Sequence, residues 1–120
     1  MRILFRLLLL LLGLTVLVPA THAREVVHKG DSVVVELSGE ISPPLYLFLR
    51  RAIKAAEAAG AGAIVIEMNT YGGRLDAAGD ISGALNRTTI PTYTFINTNA
   101  GSAGSLIALA TAHIYMSPVS

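Results

Sequence analysis

The 120-residue sequence contains no cysteine, so neither a disulfide framework nor a thiolate zinc site is available to it. It also has no basic patch interleaved with aromatic residues, which disfavours nucleic-acid binding. The phosphate-binding G-x-x-x-x-G-K-[ST] motif, the zinc-binding H-E-x-x-H motif and the G-x-S-x-G elbow of many hydrolases are missing as well. The sequence therefore predicts no metal and no cofactor.

The first 23 residues differ in character from the rest of the chain. Arg2 and Arg6 precede the apolar run Leu7–Val18, and the small-residue end Ala20-Thr-His-Ala23 follows. This order is typical of a secretory signal peptide, which we place at residues 1–23 with cleavage after Ala23. An uncleaved signal anchor is the alternative, although the run is short for a spanning helix. We expect the remainder to be exported, to the periplasmic or another extracytoplasmic face of the membrane.

After residue 23 the hydrophobic period alternates between that of strands and that of helices. A helix is predicted after Ser42, a plausible N-cap, with prolines in its first turn. It carries one continuous apolar stripe made of Leu45, Phe48, Leu49, Ala52, Ile53 and Ala56. A second helix is predicted from Leu75 to about Asn86, and a third begins near Ser102. Short apolar runs predict the buried strands, at Ser32–Leu37, Ala63–Met68, Thr92–Ile96 and His113–Met116. Repeated strand–helix units of this kind predict an α/β fold with a parallel sheet and right-handed crossovers.

Two glycine-rich loops are predicted directly after the second and third strands, at Asn69–Gly73 and Asn97–Gly101. Functional loops of parallel sheets lie at the carboxyl ends of the strands. Ser102 then enters a helix, where the helix dipole favours an alkoxide, and exposed N–H groups of a glycine turn can stabilise an oxyanion. Serine, glycine and asparagine are equally the ordinary residues of turns, so Ser102 or Ser105 serving only as a helix cap stays open.

Several segments in a fixed order resemble the membrane-bound serine proteases of the NfeD family, which belong to the ClpP/crotonase superfamily. They are Ile66-Glu-Met-Asn-Thr-Tyr-Gly-Gly73, Ile90-Pro-Thr-Tyr-Thr94, Gly101-Ser-Ala-Gly-Ser-Leu-Ile-Ala-Leu-Ala110 and His113-Ile-Tyr-Met-Ser-Pro118. The resemblance implies a ClpP/crotonase-like serine protease domain over residues 24–120, and no single motif in it is decisive. Because the chain stops directly after a strand, we expect this domain to be incomplete at its C-terminus.

The resemblance also implies roles for individual residues. It makes Ser102 the nucleophile of an acyl-enzyme mechanism and the backbone N–H groups of Gly73 and Ala103 the oxyanion hole. Asn69, Thr70 and Gly72 are then expected at the substrate-binding segment. Peptide or membrane-protein substrates and membrane association are implied in the same way. Short exposed sheet edges suggest possible homo-oligomers.

Two departures from the family pattern bear on the chemistry. Tyr71 stands where the family usually has proline, so the fixed φ of proline is lost there. The general base of the family is a lysine well downstream of the serine, and neither Lys29 nor Lys54 matches it. We expect that lysine beyond Ser120, and we expect His113 to be a partly buried structural residue.

Two other functions are compatible with the same fold. A non-catalytic, membrane-associated scaffold would explain both departures. A crotonase-like enzyme would stabilise an acyl-CoA enolate between the same two N–H groups, but export argues against it because acyl-CoA chemistry is cytoplasmic.

Overall fold

The computed structural model describes residues 26–120, so the predicted signal peptide at residues 1–23 lies outside the described residues. Strands and helices alternate along the chain. The elements are β1 (Ser32–Ile41), α1 (Pro43–Ala59), β2 (Ala63–Gly73), α2 (Leu75–Arg87), β3 (Thr92–Ala100), α3 (Ala103–Leu109) and β4 (His113–Met116). Within residues 26–120, no helix is both long and apolar enough to cross a bilayer.

The four strands form one parallel sheet in the order β1-β2-β3-β4, which confirms the predicted α/β class. Each strand therefore lies beside the next strand in the chain, with one helix in each connection. The helices share one face of the sheet, where α1 contacts α2 and α2 contacts α3. This arrangement brings the carboxyl ends of β1, β2 and β3 to a common edge.

Helix α1 shows how the sequence builds the helical layer. Its two prolines occupy the first turn, where a missing N–H costs nothing, and Gly60 ends the helix in the left-handed conformation. Ser42 is the N-cap residue as predicted, but its side chain makes no capping hydrogen bond. The stripe buries Leu49 and Ile53, whereas Phe48, predicted to lie in it, is 52% exposed. The apolar stripe is narrower than predicted because the helix meets the sheet on one side only.

The sheet itself is covered on one face. Alternate residues such as Leu37, Ile66 and Thr94 point under the helices and are buried. Their neighbours on the opposite face include Val34 and Phe95, which are 61% and 37% exposed. Within residues 26–120 the predicted strands are therefore buried on one face only, because one helical layer is present.

The strands are also longer than predicted. β2 continues to Gly73 and β3 to Ala100, so the two predicted glycine loops are extended backbone and not turns. β1 passes through Gly39, whose φ of 77° produces a shift in register between Ser38 and Glu40 without ending the strand. At the ends of β2 and β3 the glycines therefore lie in irregular strand ends, where the sequence predicts loops.

Candidate functional site

Ser102 stands alone in its backbone conformation. Its φ of 47° and ψ of −114° make it the one non-glycine residue with positive φ within residues 26–120. It occupies the N-cap position of α3, yet its side chain makes no capping hydrogen bond and the residue is exposed. Capping, one of the two predicted roles, is therefore wrong for Ser102. A strained residue of this kind costs about 1–3 kcal/mol and persists only when its surroundings hold it.

The end of β2 lies directly against this serine. A Cβ added to Gly72 would stand 2.8 Å from Cβ of Ser102 and 3.3 Å from the backbone nitrogen of Ala103. Gly72 is buried with a φ of 114°, a conformation that side chains rarely adopt. A Cβ on Gly73 would instead collide with the backbone nitrogen and oxygen of Ile41. Both positions therefore require glycine, Gly72 to admit Ser102 and Gly73 to pack against β1.

The buried side chain of Thr70 contacts β1, the end of β2 and the start of α3. Its side chain is 1% exposed. The hydroxyl donates to the carbonyl of Gly39 and accepts from the N–H of Gly72 at 3.0 Å. Its methyl group lies under Gly104, where an added Cβ would come within 2.5 Å. Thr70 thus links the bend of β1, the end of β2 and the first turn of α3, and its side chain has no surface to offer a substrate.

We expect Thr70→Val to destabilise the domain by about 2 kcal/mol, since the shape is kept while the buried N–H of Gly72 and the carbonyl of Gly39 lose their partner. Denaturant unfolding of the two proteins measures the difference. Thr94→Val is the matched control, because the Thr94 hydroxyl is buried against Thr111 at 3.0 Å, remote from Ser102. Because Thr70 holds Gly72 against Ser102, Thr70→Val should also slow the reaction of Ser102 with a serine-directed probe more than Thr94→Val does. Equal rates in the two variants would contradict this interpretation.

The remaining polar side chains of the segment are held by neighbours. Asn99 donates from Nδ2 to Oδ1 of Asn69 at 3.3 Å across the exposed face of the sheet. The hydroxyl of Ser105 donates to the carbonyl of Ala100. Ser105 therefore braces the turn that contains Ser102, and its oxygen is already engaged. The sequence alone does not predict this hydrogen bond, because Ala100 and Ser105 are five residues apart and meet only through the turn between them.

Arg74 and Asp76 form an exposed pair immediately after Gly73. Nε of Arg74 donates to the carboxylate of Asp76 at 3.0 Å, and a second guanidinium nitrogen donates to its other oxygen. The hydrogen bond from Arg74, aided by the N–H of Ala77, lowers the pKa of Asp76 to about 2. The same hydrogen bond raises the pKa of Arg74, with a smaller contribution from the charge of Glu40.

A carboxylate whose pKa is lower in the folded than in the unfolded state stabilises the fold above the unfolded value, near 4. We therefore expect the contribution of Asp76 to be complete above about pH 4 and to be lost as the pH falls to about 2. Carbon-detected NMR titration should place its midpoint near pH 2 and, in Arg74→Gln, move it toward the ordinary value. An unchanged midpoint in that variant would contradict the assignment of the cause.

Candidate bases lie far from Ser102. Lys29 packs on Gly60 and precedes β1, and Lys54 is exposed on α1. His113 begins β4 beside the start of β3, where its ring stacks on Tyr93 with centroids 5.2 Å apart. It is exposed, so the prediction of partial burial is wrong, although its structural position is as expected. In the part of the chain that the structure describes, no Lys or His side chain reaches the carboxyl edge where Ser102 lies, and no three His, Asp or Glu residues could hold a metal ion.

Two clefts flank Ser102. One, of about 530 Å³, lies beside Gly101 and Ser105 between α3 and β4, with apolar walls that include Leu109 and Met116. The other, of about 460 Å³, opens between the ends of β1 and β2 and includes Gly72 and Tyr71. Ser102 therefore lies between a cleft with mainly apolar walls and a cleft whose walls include polar and aromatic residues.

A parallel sheet whose third strand leads through a strained serine into a helix, beside a double-glycine strand, defines a ClpP-like α/β domain. The structure superimposes on ClpP1 of Listeria monocytogenes (an N165D mutant) with a TM-score of 0.63, at 24% identity over 65% of this chain and 46% of that one. At that identity the likeness establishes the fold.

Residues 32–120 match the NfeD1b N-terminal domain family, and the chain belongs to that family. It is 34% identical over 91 residues to the membrane protein NfeD1b of Bacillus subtilis, covering 76% of this chain and 21% of that protein. It is also 34% identical over 99 residues to the membrane-bound protease PH1510 of Pyrococcus horikoshii, covering 80% of this chain and 22% of the relative.

One solved structure is the 1510-N membrane-bound stomatin-specific protease, a lysine-to-alanine mutant in complex with a substrate peptide. It matches with a TM-score of 0.70 and 34% identity, over 75% of this chain and 42% of that one. The chain thus spans about a fifth of the length of the curated relatives and less than half of this solved domain.

Proposed function

We propose that this domain is the catalytic part of a serine peptidase, in which Oγ of Ser102 attacks the scissile carbonyl and forms an acyl-enzyme. The observation that carries the proposal is the exposed, uncapped Ser102 held at positive φ against Gly72. Strained residues of this kind cluster at active sites. The protease names of the Pyrococcus relatives support the same class of reaction.

The oxyanion hole is assigned to the backbone N–H groups of Gly73 and Ala103. The N–H of Arg74 donates to the carbonyl of Ile41 at 2.8 Å and so faces β1, and the N–H of Gly72 donates to the hydroxyl of Thr70. Successive N–H groups of an extended strand point in opposite directions, which turns the Gly73 N–H toward the side of Ser102. The nitrogen of Ala103 lies close to Gly72, so the two donors can serve one oxygen.

The other predicted residues have different roles in this proposal. Gly72 leaves room for the nucleophile, and Thr70 positions Gly72 from within the core. Asn69 is exposed and is the polar residue of this set available to a substrate peptide. The carboxyl edge near these residues would accept the peptide in an extended form.

The general base is assigned to a lysine in sequence that follows Ser120 in the full-length protein. A serine hydroxyl is a weak nucleophile and needs a base within hydrogen-bond reach, which Lys29, Lys54 and His113 cannot provide from their positions. The peptide complex of the related protease was obtained with a lysine-to-alanine mutant, which supports a lysine in this role.

The substrate class is proposed to be peptides or membrane proteins, cleaved at the extracytoplasmic face of a membrane. The relatives are named as membrane proteins, and one acts on stomatin. Within residues 26–120, β1 and β4 are the edge strands of the sheet, and we assign a homo-oligomer contact to these edges.

A membrane-associated scaffold without catalysis is the second candidate. Tyr71, 85% exposed beside Gly72 where the family usually has proline, is the observation in its favour. Such a protein would keep the fold while its serine is unreactive.

Reaction with a fluorophosphonate probe separates the two candidates. The full-length protein is incubated with the probe, digested, and the modified peptide sequenced by mass spectrometry. Modification at Ser102 supports the peptidase. A folded full-length protein that takes up no probe at Ser102 would identify it as a scaffold.

A further inference from the structure

The cleft between the ends of β1 and β2 adjoins the proposed reaction centre. Its walls include Glu40 on one strand and Tyr71 and Gly72 on the other. Gly72 also contacts Ser102, and Cγ of Glu40 would lie 3.0 Å from a Cβ on Gly73. A side chain in this cleft would therefore lie within one or two residues of the bond that Ser102 attacks.

The charge of this cleft comes from one carboxylate. Glu40 is the single charged residue among those lining it. Over residues 26–120 the ion pairs are His28–Asp31 and Arg74–Asp76, so Glu40 has no cation within ion-pair distance. Arg74 is near enough for Glu40 to raise its pKa, but two of its nitrogens already donate to Asp76. The carboxylate is thus left available to a cation from outside the domain.

The opposite wall supplies an aromatic surface. The Tyr71 side chain is 85% exposed, with little of its ring used in packing. Aromatic rings attract ammonium and guanidinium groups and pack well on the methylene stems of lysine and arginine. The cleft therefore pairs a carboxylate with an aromatic face, the combination that suits a long cationic side chain.

Resting on the peptidase function above, we propose that this cleft is a specificity subsite for a lysine or arginine side chain of the substrate. Glu40 binds the charged group, and Tyr71 covers the stem. The apolar cleft on the other side of Ser102 has no such carboxylate among its lining residues. A peptide bound across Ser102 would then place a basic residue in the cleft between β1 and β2 and an apolar residue in the cleft between α3 and β4.

The test compares fluorogenic peptides that carry lysine or uncharged norleucine at each position around the scissile bond, with the full-length protein as enzyme. At one position we expect kcat/KM to favour lysine about tenfold, which corresponds to about 1.4 kcal/mol. Glu40→Gln should remove this preference while leaving norleucine peptides unaffected. Tyr71→Ala should lower kcat/KM for both peptides. Glu67→Gln is the matched control, because Glu67 lies on the same face of the sheet outside the cleft, where Asn97 donates to it at 3.1 Å.

Fluorophosphonate labelling of each variant keeps this inference separate from the proposed function. If the wild-type protein is not labelled at Ser102, the peptidase assignment fails. If labelling is intact, the absence of any lysine preference overturns the subsite, and so does a preference that survives Glu40→Gln. A preference that also disappears in Glu67→Gln would show a general field effect and overturn it equally.

Discussion

Ser102→Ala is expected to abolish fluorophosphonate labelling of the full-length protein and to lower kcat for peptide hydrolysis by a factor on the order of 10⁶. The reason is chemical, because among residues 26–120 Ser102 carries the hydroxyl in the exposed position against Gly72. The substitution also removes no hydrogen bond that the structure gives to the Ser102 side chain. Stability should therefore change little while activity is lost.

The neighbouring serine provides the control for that experiment. In Ser105→Ala the hydrogen bond to the Ala100 carbonyl is lost, but the nucleophile remains. We expect labelling to persist at a rate reduced severalfold, together with a stability loss of about 1 kcal/mol. If Ser105→Ala eliminated labelling and Ser102→Ala did not, the nucleophile would have been misassigned.

Gly72→Ala is expected to lower the free energy of unfolding by about 3 kcal/mol. The positive φ and the crowding against the Cβ of Ser102 and the Gly101 carbonyl each contribute about 1–3 kcal/mol. The methyl group would also displace Ser102, so the rate of fluorophosphonate labelling should fall more than stability alone explains. Denaturant unfolding and labelling rates on the same preparations measure both effects.

The control for this variant is Gly79→Ala. Gly79 lies within α2, and a Cβ added there would meet no atom within 4 Å. Alanine is the better helix former, so this change should stabilise the domain by about 0.5–1 kcal/mol. Equal effects of the two substitutions would refute the packing account of Gly72.

The order of elements could be predicted from the sequence because the patterns are local. The apolar stripe after Ser42 and the β-branched runs at Ser32–Leu37 and Ala63–Met68 each report the structure of their own segment. The glycine segments misled because glycine signals a turn more often than an irregular strand end. Whether Gly72 and Gly73 stay extended depends on pairing with Glu40 and Ile41, which no local pattern reveals.

For the candidate site, too, some features could be predicted from short sequence motifs and others depend on contacts between residues far apart in the sequence. Resemblance selected Ser102 and Gly73, while the strain at Ser102 and the burial of Thr70 emerge only from the packing of three elements. The place of Glu40 in the proposed subsite could not be predicted, because the register shift between Ser38 and Glu40 is what pairs Glu40 with Gly72. In sequence it is one acidic residue among several.

The order β1-β2-β3-β4 has a consequence for how the domain is made. Each strand pairs with the strand synthesised just before it, so every new unit can dock on an already formed template as the chain lengthens. Gly72 belongs to β2 and Ser102 follows β3, so the two residues come into contact only when the helix after β3 packs on the sheet. The hydroxyl of Ser102 therefore takes its position only after β1, β2 and β3, which restrain it, have been made.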